Sequence, residues 1–223
     1  MPQNFDLQQT GPELQEIINA SVPTDEYLQE QINEIVSEKA TVALAATPSA
    51  VFANDETHAI VFRATSTPTD ATVTFGGNGE EPETKDTENG LATFDRNVIS
   101  GERMTLSFYA DFEIAGVSKG RKTASVALVW PIYYGHGDTY GEATLQASET
   151  PRASVGGTYT ITTADGEHIY FELPDNMTLH SISLVSTYET SLSFHEITSS
   201  REGYKAYENI EERGAGTYNY KIS

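Results

Sequence analysis

From Thr41 onward, hydrophobic and polar positions alternate with a period of two. The stretch "TVALAAT" sets Val42 and Leu44 on one face, "AIVFRAT" alternates Ile60, Phe62 and Ala64 with Val61 and Arg63, and "ATVTFGG" offers Val73 and Phe75. "LATFDRNV", "MTLSFYADFEIAG" and "KTASVALVW" continue the series. In the longest, Met104, Leu106, Phe108 and Ala110 face one way, and Thr105, Ser107, Tyr109 and Asp111 the other. Successive side chains of a strand point to opposite faces, so such runs, broken by turn residues every ~8–12 positions, predict an antiparallel sandwich. Residues 41–130 have the size of an immunoglobulin-like unit, without the cysteine pair of antibody domains.

Trp130-Pro131 marks a boundary, and "PIYYGHGDTYGEATLQASETPRASVGG" reads as a Gly- and Tyr-rich connection. A second β-domain is expected over 131–223, from "GTYTITT", "HIYFELP", "LHSISLV", "SLSFHEI", "YKAYENI" and "GTYNYKIS". Its inward faces should carry Tyr159, Ile161, Ile169, Phe171, Leu173, Ile182, Leu184, Tyr218, Tyr220 and Ile222. Asp165-Gly166 is a hairpin signal between the first two of these strands.

The first forty residues follow a different period. Thr10 and Glu13 have capping-box spacing, and Leu14, Ile17 and Ile18 form an i, i+3, i+4 stripe. After "SVP", a second helix should run from about Asp25 to Glu38. Leu28, Ile32 and Ile35 step by four and then three, a heptad seam that Val36 broadens, while Glu26, Glu30, Glu34 and Glu38 take other faces. A lone helix of this length is marginal in water, where about 12–15 good residues give only partial helicity. The seam must therefore pack on the β-domain behind it or on sister chains. Isoleucine at successive seam positions favours trimers. The fold class expected is mainly β: short N-terminal helices (1–40), then an Ig-like antiparallel β-sandwich (41–130) and a second β-sandwich-type domain (131–223).

Composition narrows the function. A formal net charge of −20 repels phosphate backbones and anionic membranes and suits docking on a basic protein surface or, equally, a halophile interior. Nucleic acid and membrane insertion are not expected as partners. The chain has no cysteine, so disulfides and thiolate metal sites are excluded. The opening "MPQNFDLQQT" has neither a basic n-region nor an apolar stretch, so no secretory signal is expected, and the sequons at Asn19 and Asn176 read as chance.

Candidate chemistry is sparse. His58, His136, His168, His180 and His195 lack metal-ligand spacing, although His168 and His180 could meet across strands. The loop "GGNGEEPETKDTENG" (76–90) clusters Glu80, Glu81, Glu83, Asp86 and Glu88; it reads as a solvated hairpin tip, with weak calcium binding the alternative. No phosphate cradle, nucleophile elbow or triad stands out, so neither an enzyme nor a cofactor is expected. In "WPIYYGHGDTY", Tyr133, Tyr134 and Tyr140 are candidate glycan contacts, because rings offer stacking faces with polar tips; the alternative is that these aromatics close a domain junction.

Three segments together resemble a known family. "FDLQQTGPELQEIINAS" resembles the N-terminal segment of fibre and capsid decoration proteins of Bacteroidetes phages, including crAss-like phages. "TVALAATPSAVFANDETHAIVFRATSTPTDATVTF" is similar to their bacterial-Ig-like modules, and "GGTYTITTADGEHIYFELPD" with "YKAYENIEERGAGTYNYKIS" to their C-terminal β-module. The resemblance implies a non-enzymatic virion structural protein at the virion surface, a homotrimeric head fibre or capsid decoration protein bound to capsid or other virion proteins. The helical stalk departs from that pattern in being very short. On this reading Phe5, Leu7, Leu14, Ile17 and Ile18 would contact the particle, and Leu28, Ile32, Ile35 and Val36 would join copies. The alternative implied is a tail-associated adhesin recognising host surface glycans.

Overall fold

The computed structural model describes residues 25–141, 144–185 and 189–223. It is mainly β, with several antiparallel sheets and one helix among the described residues. The helix, α1, runs Asp25–Glu38, as the heptad spacing predicts.

Two sheets are built from the first eight strands. One has the order β1 (Thr41–Thr47), β3 (His58–Thr67), β6 (Leu91–Val98). The other has the order β2 (Ala50–Phe52), β8 (Val117–Val129), β7 (Met104–Ile114), β4 (Thr72–Gly77), β5 (Glu80–Asp86). The later strands form two more: β10 (Thr144–Ala147), β9 (Tyr133–Gly137), β12 (His168–Pro174), β16 (Tyr204–Asn209), β15 (Phe194–Ile197), and β11 (Gly157–Thr163), β17 (Gly216–Ile222), β13 (Ile182–Val185), β14 (Glu189–Leu192).

The chain gathers into two compact units interleaved in sequence. Among the described residues, the first takes 25–44, 64–92 and 109–122, and the second takes 45–63, 93–108 and 123–223. Buried apolar residues in the first are Ala64, Ala71, Val73, Phe75, Ala92, Ala110, Phe112 and Ile114. They sit at alternate positions because each strand gives one face to the interior. Within the second unit, Ile60, Phe62, Phe94, Leu106 and Phe108 are buried in the same way, and the rings of Phe62 and Phe108 lie 4.5 Å apart. That contact packs the three-stranded sheet on the five-stranded one. A separate core joins the last two sheets through Ile132, Tyr159, Ile161, Ile169, Phe171, Leu173, Ile182, Tyr207, Tyr220 and Ile222.

Several elements differ from the sequence reading. The acidic segment 76–90 is not a loop throughout. Asn78 and Gly79 both adopt positive φ, the two-residue turn that joins β4 to β5, and the acids continue as strand β5 at a sheet edge. Six of the seven β5 residues are exposed, so no apolar alternation announces the strand, and Pro82 is tolerated because the strand is an edge. The connection after Trp130 contains β9, whose two glycines mask it, and the four-residue β10, too short to show an alternation. The short β2, parallel to β8, was not foreseen. "SLSFHEI" is two strands, β14 and β15, that break at Ser193 and belong to different sheets. The Asp165-Gly166 turn makes no hairpin: β11 pairs with β17 while β12 pairs with β9 and β16, so the turn crosses from one sheet to the other. Met104, assigned inward, is exposed at its strand end. In β12 both faces are covered, and Tyr170 and Glu172 are as buried as Ile169 and Phe171.

Phe62→Ala should lower the unfolding free energy by about 3–5 kcal/mol, since a fully buried ring leaves a cavity. Chemical denaturation followed by the fluorescence of Trp130, the chain's one tryptophan, measures it.

Candidate functional site

The predicted attachment residues Phe5, Leu7, Leu14, Ile17 and Ile18 lie outside the described residues, as does the side chain of Val36. The rest of the seam is described. Leu28, Ile32 and Ile35 are 46%, 53% and 53% exposed, and Tyr27 beside them is 51% exposed. The polar side of α1, with Glu26, Gln29, Glu30, Asn33 and Glu34, lines a cleft together with Ala115 and Val117 of the β7–β8 turn. Glu26, Gln29, Glu30 and Glu34 on that side are themselves exposed, so the helix is in water on its polar side and along its apolar stripe alike. A stripe in that state gains by being covered.

The tyrosine-rich segment contributes to a different surface. Tyr133 and Tyr134 are neighbours on β9, so they point to opposite faces of the sheet. Tyr133 lies on the same side as Glu172, its cross-strand partner on β12, while Tyr134 packs on the inner core with its ring 4.7 Å from that of Tyr159. Tyr140, from the segment after β9, lies over Tyr170 with ring centroids 5.5 Å apart. The three predicted glycan contacts therefore do not share one platform.

Around Tyr133 the outer face is a continuous ladder of rings and cations. Arg103 sits 4.2 Å over the Trp130 ring; Trp130 stacks on Tyr204 at 5.7 Å; Tyr204 meets Tyr133 edge-on at 5.6 Å; and Arg201 lies 3.8 Å over Tyr133. Cations over rings favour such stacks because the ring face is electron-rich. Each terminal cation is also bonded. Arg103 donates to Asp175 at 2.7 Å and to Asn176 at 2.6 Å. Arg201 donates from Nε to Glu172 Oε2 at 2.6 Å.

Glu172 is wholly buried, which is tolerable only because its oxygens are occupied. Besides Arg201 they accept from Ser199 at 3.0 Å and from the Tyr140 hydroxyl, which in turn accepts from the Ser200 backbone N–H at 2.9 Å. The carboxylate thus fixes the segment after β9 and the segment before β16 onto one strand. Gly203 completes the fit: its φ is 75°, and a Cβ there would stand 2.6 Å from the Trp130 ring. Burial pushes the Tyr204 hydroxyl, which donates to the Pro131 carbonyl at 3.0 Å, well above its ordinary value.

The sequence matches nothing among known protein families, curated proteins or solved structures.

The remaining candidates are dispersed. Among the described residues, no group of three or more His or acidic side chains is placed to hold a metal ion. His168 hydrogen-bonds the Asn209 carbonyl at 2.9 Å rather than approaching His180, whose backbone N–H pairs with Ser223. His195 and His168 lie 3.1 and 3.6 Å from Glu208, and His136 lies 2.8 Å from Glu167. In β5 the acids spread along an extended strand instead of converging: Asp86 accepts from Thr72, and Glu83 pairs with Lys85. Buried Glu172 and Tyr170 were missed, because period-two reading assigned β12 only one inner face. Glu172 could have been suspected as a lone acid inside the apolar run "IYFELP".

Arg201→Ala removes the cation from a buried carboxylate and should destabilise the fold by about 2–4 kcal/mol, below the full buried-pair cost because Arg201 is itself 41% exposed. The loss should appear in denaturation curves followed by Trp130 emission.

The backbone N–H of Ala164 holds the Glu167 carboxyl below its ordinary value; burial opposes it, and the hydrogen bond and charge of His136 add to the lowering. A depressed carboxylate stabilises the fold above its unfolded value, near 4.5, and loses that contribution as pH falls through the lowered value. Glu167→Gln should therefore be less stable than the parent at pH 7, and the gap should close below about pH 4. Thermal melts across that range test the sign.

Proposed function

We propose that this chain is a non-enzymatic structural protein of a phage particle, a head fibre or capsid decoration protein exposed on the virion surface. One observation carries the reading: the apolar stripe of α1, formed by Leu28, Ile32 and Ile35, is left about half exposed to solvent. The family resemblance of the sequence supplies the particle. In this reading strands β1–β8 form an Ig-like sandwich, the later strands form a second sandwich-type domain, and the segment before α1 attaches to a capsid or other virion protein.

The charge pattern of α1 favours sister copies as the cover for the stripe. With Leu28 and Ile35 at one heptad position and Ile32 at the other, the residues flanking the seam are Gln29, Gln31, Val36 and Glu38, and Asp25 falls on the seam itself. Glu26, Glu30 and Glu34 fall on outer positions. Like charge reaches a parallel seam only at the two ends of the helix, through Asp25 and Glu38, while its centre is uncharged, and consecutive isoleucines suit three strands. Each half-exposed side chain contributes only about 1 kcal/mol when covered. Association through α1 is accordingly weak and depends on concentration, and attachment to a particle completes it.

The weight-average mass of the full chain should rise with concentration from 24.4 kDa toward three times that value, and Ile32→Glu should remain monomeric with unchanged far-ultraviolet dichroism. Light scattering over about 10–500 μM, the range in which contacts of this size act, decides it. A chain lacking residues 1–23 should keep its β-fold and fail to enter particles; undiminished incorporation would overturn the assignment.

A further inference from the structure

On the inner side of β9, away from the ring ladder, a hollow of about 250 Å³ opens beside Tyr134. Its walls are Tyr134, Ser148, Glu149, Thr150, Arg152, Thr158 and Tyr159. The Arg152 guanidinium is held in place. A Cβ on Gly157 would stand 3.0 Å from its Cζ, so the cation lies flat on bare backbone, and it also contacts the Tyr159 hydroxyl. That hydroxyl donates to the Gly156 carbonyl at 3.1 Å, which fixes the ring below the cation, and burial pushes it above its ordinary value. Among the described residues Arg152 forms no ion pair, although Glu149 lines the same hollow. The other arginines with ion pairs, at 103, 121, 201 and 213, meet carboxylates at 2.6 to 3.4 Å.

We propose that this hollow binds a single carboxylate-bearing sugar ring. Three demands must be met together. Arg152 wants an anion with two oxygens, which a guanidinium fork holds best as a carboxylate. Glu149 accepts only from donors and repels a bare anion, so the ligand must also carry hydroxyls; Thr150 and Thr158 can bond to such groups in either sense. The half-exposed Tyr134 ring offers an apolar face of the kind that C–H bonds of a pyranose cover. A simple inorganic anion meets the first demand alone, and a neutral sugar leaves the first unmet. The volume lies just below the ~300–1,000 Å³ of sites for larger ligands, which suits one ring and not a chain lying lengthwise. The inference is independent of how copies assemble, because none of these residues belongs to α1.

The probe is D-galacturonate, with D-glucose as the neutral counterpart, each observed by saturation-transfer NMR on the full chain. Transfer onto the ring protons of galacturonate, clearly above that of glucose, is expected. Arg152→Gln should weaken it about tenfold, the usual loss when a charged hydrogen bond is removed. Thr158→Val, a second exposed position, removes a hydroxyl partner of the sugar, should weaken it to a smaller degree and serves as the arbiter if the first variant is misfolded by circular dichroism. Absence of transfer from galacturonate, equal transfer from glucose, or transfer indifferent to both substitutions would each overturn the proposal. The solution mass of the same samples reports separately on assembly, so the two readings fail independently.

Discussion

The architecture of the later strands depends on one buried charge. Glu172 sits in the centre of β12 with no exposed surface, and an uncompensated carboxylate there would cost several kcal/mol. Its partners come from segments distant in sequence: Tyr140 before β10, and Ser199 and Arg201 before β16. Buried there, the carboxyl oxygens need those segments as hydrogen-bond donors, so a polar requirement organises what the hydrophobic pattern leaves unspecified. Arg201 then reaches over Tyr133 and passes the constraint to Tyr204, Trp130 and Arg103. Residues 93–108 and the strands after Trp130 cluster in one compact unit, and this ladder is a physical reason for it.

The helix obeys a contrasting logic. Its apolar side chains Leu28, Ile32 and Ile35 stay about half exposed, and its propensity alone would not hold it. A fold that satisfies a buried acid with three donors while leaving Leu28, Ile32 and Ile35 in water is not short of packing solutions. Two classes of contact are therefore visible in the molecule, one internally closed and one open.

The sequence was most legible where a strand has one wet and one dry face. Ile60, Phe62 and Ala64, or Tyr159 and Ile161, lie where alternation put them. It was least legible in strands that are covered on both sides or on neither. Tyr170 and Glu172 in β12 were assigned to the surface by parity, although a central strand with loops packed across its outer face has no wet side. In β5 the reverse holds, since an acidic edge strand carries no apolar signal. Chain direction was hidden too: Asp165-Gly166 announced a turn, but a two-residue signal cannot say whether the chain folds back beside itself or crosses to another sheet. At the candidate site, the aromatic density of "WPIYYGHGDTY" was plain, yet only backbone parity separates Tyr133 on the ladder from Tyr134 beside Arg152.

Strand β5 stands last in its sheet, and an edge strand is a template to which another strand can add. Five of its seven residues are charged and another is proline, which offers no donor to a newcomer. At high concentration, copies with an apolar edge would otherwise be able to pair edge to edge. The acidity that looked like an ion trap in the sequence acts here as a guard against that fate.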